Sequence, residues 1–179
     1  RRSSDLNVLN VRFEGSKSLL DWVMDLWFCK SKVAAYDGAT WKAHKGFKTA
    51  YYSVRSKVLD KCYELYEAGD KIRILSHSLG GGMGLISVED IGWHFKQKIT
   101  LITWGAPRPV VDDEGMKAIS EYLAEDSVCF ENGSDPVPRL PWFYKKNLNI
   151  KHLGKKFNFF KAFAVKKYHC GYGDEALYV

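Results

Sequence analysis

The fold of this 179-residue chain is decided by the stretch Ile72-Arg-Ile-Leu-Ser-His-Ser-Leu-Gly-Gly81. Its apolar positions predict a buried strand that ends at Ser78. Gly80 and Gly81 allow a sharp turn and close packing of the helix that follows. A serine at such a corner presents its hydroxyl at the helix N-terminus, where the N–H of Leu79 can stabilise an oxyanion. Five-residue patterns rich in serine and glycine recur by chance. The interpretation of Ser78 as a nucleophile therefore depends on the rest of the chain.

A serine nucleophile needs a histidine to accept its proton and a carboxylate to orient that histidine. Asp135 follows a predicted strand that ends at Phe130, and this is where an open α/β sheet displays functional groups. An aspartate that only forms a turn before Pro136 would occupy the same place. His152 and His169 come later in the chain, so either histidine satisfies the order Ser, Asp, His found in α/β-hydrolases.

Seven segments carry a wider resemblance, in chain order: residues 11–16, 21–22, 44–47, 76–81, 103–108, 135–141 and 152–154. Through them the chain resembles the class 3 lipases, the fungal-lipase-like branch of the α/β-hydrolases. Several collinear motifs are a far more specific signal than one short motif. The resemblance implies the corresponding fold and a serine-dependent ester hydrolysis.

The resemblance also implies individual roles for residues of this chain. Ser78 is the expected nucleophile, Asp135 the orienting acid and His152 the general base, in preference to His169. The backbone N–H groups of Leu79 and Ser16 form the expected oxyanion hole, with the Ser16 hydroxyl as a further donor. His44 is expected to support the loop of that hole, and His94 is expected on a helix surface.

A predicted helix over residues 18–28 has an unusually wide apolar face. Ser18, Asp21 and Asp25 form one narrow polar stripe, and apolar residues cover the remainder. A helix packed on one side only needs a narrower apolar face than this. The helix is therefore either nearly engulfed by the domain or leaves part of its face for lipid. In the family that the chain resembles, a mobile lid occupies this position. The candidates for a lid or for contact with the acyl chain are Leu19, Leu20, Val23 and Trp27.

The order of predicted elements indicates one α/β domain over residues 1–179, with a mostly parallel sheet flanked by helices and reduced at its N-terminus. Strands are expected over residues 6–13, 72–76, 99–104 and 127–130, and helices over 48–68, 79–95 and 113–123. Residues 30–45 are expected to form an irregular loop. A short strand or hairpin is expected over 150–160, and a last helix after His169.

Composition excludes several classes of protein. No apolar run approaches the roughly 20 residues that a bilayer-spanning helix needs. The four cysteines form no C-x-x-C pair, so a zinc site is not expected. Ester hydrolysis through a serine nucleophile needs no metal or organic cofactor, and none is expected. Cys62 and Cys129 fall in apolar patterns and are expected to be buried, as free thiols in preference to disulfides. The chain begins with Arg1, a residue that a processed signal peptide could precede, and its localisation stays open.

The charge of the chain is concentrated in one segment. The chain has a formal net charge of +6, yet residues 136–173 contain nine Lys or Arg and neither Asp nor Glu. These cations alternate with aromatic residues, a pattern that suits an anionic membrane surface. A nucleic-acid partner would use similar residues but is not expected, and a solvated face over core aromatics is the remaining interpretation.

Three functions are compatible with these residues. The first is an esterase or lipase that cleaves acylglycerols through an acyl-enzyme on Ser78. The second is a phospholipase A1-like activity on anionic glycerophospholipids, suggested by the basic segment. The third, of another class, is a catalytically silent domain that binds lipid or a protein, because a fold alone does not guarantee activity.

Overall fold

The computed structural model describes residues 7–14 and 29–154, with the backbone of residues 2–3. Its eight strands are β1 (Arg2–Ser3), β2 (Val8–Phe13), β3 (Lys30–Ala34), β4 (Thr40–His44), β5 (Lys71–His77), β6 (Thr100–Trp104), β7 (Val128–Asn132) and β8 (Ile150–Leu153). Its helices are α1 (Lys45–Leu65), α2 (Leu79–Phe95) and α3 (Asp113–Tyr122), followed by a single 3₁₀ turn (Val137–Arg139). The helices over 79–95 and 113–122 agree closely with the sequence prediction.

Six strands form one sheet in the order β1-β2-β5-β6-β7-β8. Strand β1 is antiparallel to β2, and every other neighbouring pair is parallel. Helices connect the central strands, as parallel pairing requires. The predicted α/β architecture with a mostly parallel sheet is confirmed. The carboxyl ends of β5, β6 and β7 consequently lie side by side along one edge of the sheet.

The core lies between this sheet and the helices. Strand β5 alternates buried and partly exposed side chains, because successive residues point to opposite faces of a sheet. The side chains that fill the core with at most 2% exposure include Leu9, Ile72, Ile74, Leu85, Ile91, Ile99, Leu101 and Ile119. Burial of branched apolar side chains of this kind contributes about 1.5–3 kcal/mol each relative to exposure.

The prediction of an irregular loop over residues 30–45 is wrong. Strands β3 and β4 form an antiparallel hairpin, with Ala34 opposite Thr40 beside the turn. Val33 and Trp41 point inward while their neighbours along each strand are exposed, so the residues do carry a period of two. Gly38 takes the left-handed backbone conformation that the turn requires (φ +85°). Lysines at alternate positions leave few apolar residues in these short strands, so their sequence pattern is weak.

A buried carboxylate fastens the hairpin to the two longer helices. Asp90 of α2 accepts hydrogen bonds from the Tyr51 hydroxyl (2.5 Å), from the Tyr36 hydroxyl and from Arg55 Nε (2.7 Å). Burial alone would raise the pKa of Asp90, but the hydrogen bonds from Arg55, Tyr36 and Tyr51 outweigh it and hold the pKa below its ordinary value. Tyr36 comes from the turn of the hairpin, so one carboxylate joins three elements.

His94 belongs to the same cluster rather than to an open helix surface. Its Nδ1 lies 2.9 Å from the Tyr63 hydroxyl, and its Nε2 lies 3.1 Å from the Tyr36 hydroxyl. Its side chain is 20% exposed. The expectation of a helix-surface histidine is therefore corrected, because α1 and the hairpin cover that side of α2.

Cysteine burial follows the prediction. Cys62 and Cys129 are buried free thiols, and burial raises the pKa of each to about 11. Such thiols are protonated at neutral pH and behave as small apolar groups. None of the helices within residues 29–154 has the length and apolar character needed to cross a membrane. The predicted helix over 18–28 and the predicted helix after His169 lie outside the described residues.

Candidate active site

The turn between β5 and α2 places Ser78 in an unusual backbone conformation. Its φ of +56° and ψ of −126° belong to a region that side chains with a Cβ rarely adopt. The Ser78 N–H donates to the carbonyl oxygen of Trp104 (2.9 Å), and its own carbonyl accepts from the Gly81 N–H (2.9 Å). The surrounding backbone thus holds the strained residue at the carboxyl edge of the sheet.

Two glycines make this corner possible. A Cβ on Gly80 would lie 2.2 Å from the carbonyl oxygen of Phe13, and a Cβ on Gly81 would lie 2.4 Å from the Cβ of Ala106. Neither neighbour can retreat, since one is strand backbone and the other follows directly on β6. The close approach of α2 to β2 and to the end of β6 therefore depends on these glycines.

The Ser78 hydroxyl is buried and has no hydrogen-bond partner among the side chains that the structure describes. A buried hydroxyl without a partner costs free energy and is typical of a functional position. Leu79 is the first residue of α2, so its N–H lies outside the hydrogen-bond ladder of that helix. A buried hydroxyl and an N–H outside the helix ladder therefore stand next to each other at a helix N-terminus.

Asp135 lies three residues beyond β7 on the same edge of the sheet and is 1% exposed. Its Oδ1 accepts from the Val137 N–H (2.9 Å), and its own N–H donates to the carbonyl oxygen of Asn132 (3.0 Å). The carboxylate is thus fixed by its own turn, two strands away from Ser78. This arrangement combines the turn-forming role with a position that can orient a histidine.

Arg108 anchors the segment that follows Asp135, a role that the sequence did not predict. Its backbone N–H donates to the carbonyl oxygen of Leu140 (2.8 Å). Its guanidinium donates to the carbonyl oxygens of Pro138 and Trp142 (both 3.1 Å). The loop after β6 therefore positions the segment that follows Asp135.

His152 is not brought together with Ser78. It lies in β8 opposite Glu131 of β7, and its side chain is 62% exposed. Strand β8 is three strands away from β5, about 14 Å at the usual strand spacing. This separation weighs against a direct hydrogen bond between the two side chains, and the assignment of His152 stays a prediction.

Glu131 is the nearest acidic partner of His152. Its Oε2 lies 3.8 Å from His152 Nδ1, and the glutamate is 5% exposed. Burial raises the pKa of the Glu131 carboxyl, whereas the charges of His152, Arg139 and Arg108 oppose the rise. A glutamate directly after the apolar run Val128-Cys-Phe130 was the signal in the sequence that this carboxylate is buried.

The remaining candidates fall partly outside the described residues. Ser16 and the lid candidates Leu19, Leu20, Val23 and Trp27 are among these undescribed positions. Glu14, two residues before Ser16, lies beside the turn between β5 and α2, because a Cβ on Gly80 would be 2.9 Å from the carbonyl oxygen of Glu14.

His44 is buried at the start of α1, next to this edge of the sheet. It caps the helix, since its Nδ1 accepts from the Gly46 N–H (3.2 Å). Its role for the loop of the oxyanion hole stays a prediction, because that loop lies outside the described residues. Within residues 7–14 and 29–154, no group of three or more His, Cys, Asp or Glu side chains is arranged to hold a metal ion.

The strand order and the serine turn define an α/β-hydrolase, and comparison with known families identifies the branch. Residues 10–145 match the model of the family described as lipase (class 3). The match covers most of the sequence. The chain belongs to the class 3 lipase family.

Individual relatives agree with this assignment. The chain is 29% identical to a lipase of Rhizomucor miehei over 153 residues, which are 78% of this chain and 39% of that protein. It is 26% identical to the secreted mono- and diacylglycerol lipase A of Penicillium cyclopium, over 73% of this chain and 42% of the relative. The chain thus spans about two fifths of the length of these curated relatives.

Solved structures show the same fold. The mono- and diacylglycerol lipase of Aspergillus oryzae superposes with a TM-score of 0.73 at 26% identity, covering 87% of this chain and 57% of that one. A lipase of Rhizopus microsporus var. chinensis superposes with a TM-score of 0.66 at 24% identity, covering 78% and 50%.

Proposed function

We propose that this domain is a serine hydrolase that cleaves carboxylic esters of acylglycerols. The observation that carries the proposal is Ser78 itself: a buried hydroxyl without a described partner, on a strained backbone, at a helix N-terminus. Ester cleavage is also what the names of the relatives state for those proteins, which are a lipase and mono- and diacylglycerol lipases.

The reaction begins when the Ser78 oxygen attacks the ester carbonyl while a histidine takes the hydroxyl proton. The negative charge that develops on the carbonyl oxygen is stabilised by the Leu79 N–H and by the proposed donors of Ser16. The histidine then returns the proton to the leaving alcohol, which leaves an acyl group on Ser78. Water, activated by the same histidine, releases the fatty acid, so this chemistry needs no metal or organic cofactor.

The general base in this proposal is a histidine on the carboxyl side of Asp135, and the chain offers two. The sequence favoured His152, and that assignment stays a prediction. Its position in β8, three strands from β5, weighs against it, because its nearest acidic partner is Glu131. Because His152 is disfavoured, we propose His169 as the base, with Asp135 as the carboxylate that orients it.

A second candidate differs in substrate and not in chemistry. Hydrolysis of anionic glycerophospholipids is supported by the nine cations of residues 136–173, which no acidic residue of that segment neutralises. Fatty-acid release from neutral emulsions and from anionic vesicles, at low and high salt, distinguishes the two. A preference for anionic vesicles that fades with salt supports the second candidate, since salt screens exposed charges. Equal rates without a salt effect contradict it.

Covalent trapping tests the nucleophile directly. A phosphonate ester with an alkyl chain should label Ser78, as located by mass spectrometry of the digested protein. Ser53→Ala is the matched control, because Ser53 is an exposed helix serine whose hydroxyl only bonds the carbonyl oxygen of Ala50. Labelling should persist in Ser53→Ala and vanish in Ser78→Ala. Unchanged labelling of Ser78→Ala would reject Ser78 as the nucleophile.

A further inference from the structure

Two exposed aromatic rings stand on the edge of the sheet that carries Ser78. They belong to residues 141–144, called here the aromatic turn, in which Trp142 is 72% and Phe143 38% exposed. The turn is tied to this edge because Arg108, just beyond the end of β6, donates its backbone N–H to the carbonyl oxygen of Leu140. Neighbouring exposed rings of this size are typical of an interaction site.

The backbone of the aromatic turn is held firmly although its rings are exposed. Arg108 donates to the carbonyl oxygen of Trp142 (3.1 Å), and the Tyr144 N–H donates to the carbonyl oxygen of Pro141 (3.0 Å). The Tyr144 ring is buried and packs 5.8 Å from the His44 ring, centroid to centroid. The turn thus presents Trp142 on a pre-arranged support, which lowers the entropic cost of binding.

The surroundings of the aromatic turn are positively charged. Lys30 Nζ lies 5.9 Å from the centroid of the Phe143 ring, and Lys146 is exposed two residues after the turn. The charge of Lys145 is paired with Asp113 at 2.7 Å, so Lys30 and Lys146 are the cations with which a partner would interact. Residues 136–173 add no acidic side chain.

We propose that the aromatic turn is a docking surface for an anionic lipid membrane. An indole ring suits the interface between headgroups and acyl chains, and lysine ammonium groups suit anionic headgroups. The docking rests on the proposed function, because it brings the edge that carries Ser78 to the surface where a lipid substrate lies. A single-stranded nucleic acid would also use the cations and would stack on the indole, so binding of an oligonucleotide is the alternative outcome of the test.

Vesicle co-sedimentation of the Ser78→Ala variant tests the proposal without hydrolysis of the lipid. The protein should bind phosphatidylcholine vesicles that contain phosphatidylglycerol, and bind phosphatidylcholine alone far more weakly. Adding Trp142→Ala should weaken binding about ten-fold, because burial of an aromatic side chain in the membrane strengthens binding by about that factor. Adding Tyr63→Ala, the matched control, should leave binding unchanged. Tyr63 is also exposed (53%), but it lies near the far end of α1, about 27 Å along the helix axis from Lys45.

The contribution of charge is tested with two neutral substitutions. Lys30→Gln with Lys146→Gln should weaken binding to the anionic vesicles by roughly five-fold for each lysine, and high salt should remove the difference. Lys57→Gln with Lys71→Gln changes the net charge equally, at exposed positions on α1 and at the start of β5, the end of that strand opposite Ser78, and should have little effect. Thermal unfolding of each variant checks that the fold is retained.

Three outcomes overturn the proposal: equal binding to neutral and anionic vesicles, normal binding of the Trp142→Ala variant, or stronger binding to a single-stranded oligonucleotide than to vesicles. Hydrolysis of a soluble p-nitrophenyl ester by the native chain is measured separately. Hydrolysis without vesicle binding would reject the docking surface alone. Vesicle binding without hydrolysis would reject the proposed function alone.

Discussion

Two buried polar sites of this protein differ in how fully their groups are paired. Asp90 accepts hydrogen bonds from two tyrosine hydroxyls and from a guanidinium, and these bonds join the hairpin to α1 and α2. The Ser78 hydroxyl, equally buried, has no partner among the described residues. Ser78 differs from other buried groups without a described partner, such as the hydroxyls of Ser76 and Thr103, because it also has a strained backbone at a helix N-terminus. A buried unpaired group on a strained backbone persists only where something compensates its cost.

The largest effect is expected at the histidine that serves Ser78. His169→Ala should lower kcat by about four orders of magnitude, as loss of a catalytic-triad histidine does, while the free energy of unfolding changes little. His152→Ala should retain most of the activity, because β8 keeps His152 beside Glu131. Turnover of a soluble ester checks both variants. The opposite result, with His152→Ala inactive and His169→Ala active, would restore His152 as the base and contradict the strand-distance argument.

The next largest effect is expected at the paired cluster. Asp90→Asn should lower the free energy of unfolding by about 3 kcal/mol, because it leaves Arg55 without its buried counter-charge. The catalytic rate should remain within a few-fold of native. Urea unfolding of Asp90→Asn, compared with Asp60→Asn at an exposed position of α1, measures the difference. A loss below about 0.5 kcal/mol, the size of an ordinary surface substitution, would show that the cluster does not hold the elements together.

The smallest effect is expected in the pH dependence of stability. The folded-state pKa of Asp90 is lowered, so its stabilising contribution is present above the unfolded value of about 3.9 and is lost as the pH falls further. The folded-state pKa of Glu131 is raised by burial, so its protonation favours the folded state as the pH falls toward about 4.3.

Unfolding by urea at several pH values separates these two contributions. The difference in free energy of unfolding between native protein and Asp90→Asn should shrink below about pH 4. The difference in free energy of unfolding between native protein and Glu131→Gln should change between neutral pH and about pH 4.3. Differences that stay constant over both ranges would show that neither carboxyl is perturbed by the fold.

The sequence predicted the sheet, because long apolar runs and glycine-rich turns dominate the central βαβ unit. The predicted bounds of α2 and α3 lie within a residue of the observed ones. The hairpin formed by Lys30–Ala34 and Thr40–His44 was not predicted, because five-residue strands with lysines at alternate positions have a weak hydrophobic pattern. Short exposed strands of this kind depend on tertiary contacts, here through Trp41 and Glu89 (3.1 Å), that no local pattern reveals.

The candidate site was predictable where a role follows from local geometry. Ser78 and Leu79 stand on a turn whose shape their own neighbours determine, and Asp135 directly follows a strand. The choice between His152 and His169 could not be made in this way, because both satisfy the chain order. Only the order of strands in the sheet, a long-range property, separates β8 from β5.

The glycines that follow Ser78 limit where this member of the family can diversify. A side chain at Gly80, Gly81 or Gly82 would collide with strand backbone, with Ala106 or with the buried Phe47 ring. The positions next to the Ser78 hydroxyl are therefore closed to larger side chains. On the proposed function, differences in substrate preference arise from the loops around the turn at Ser78 and not from these positions.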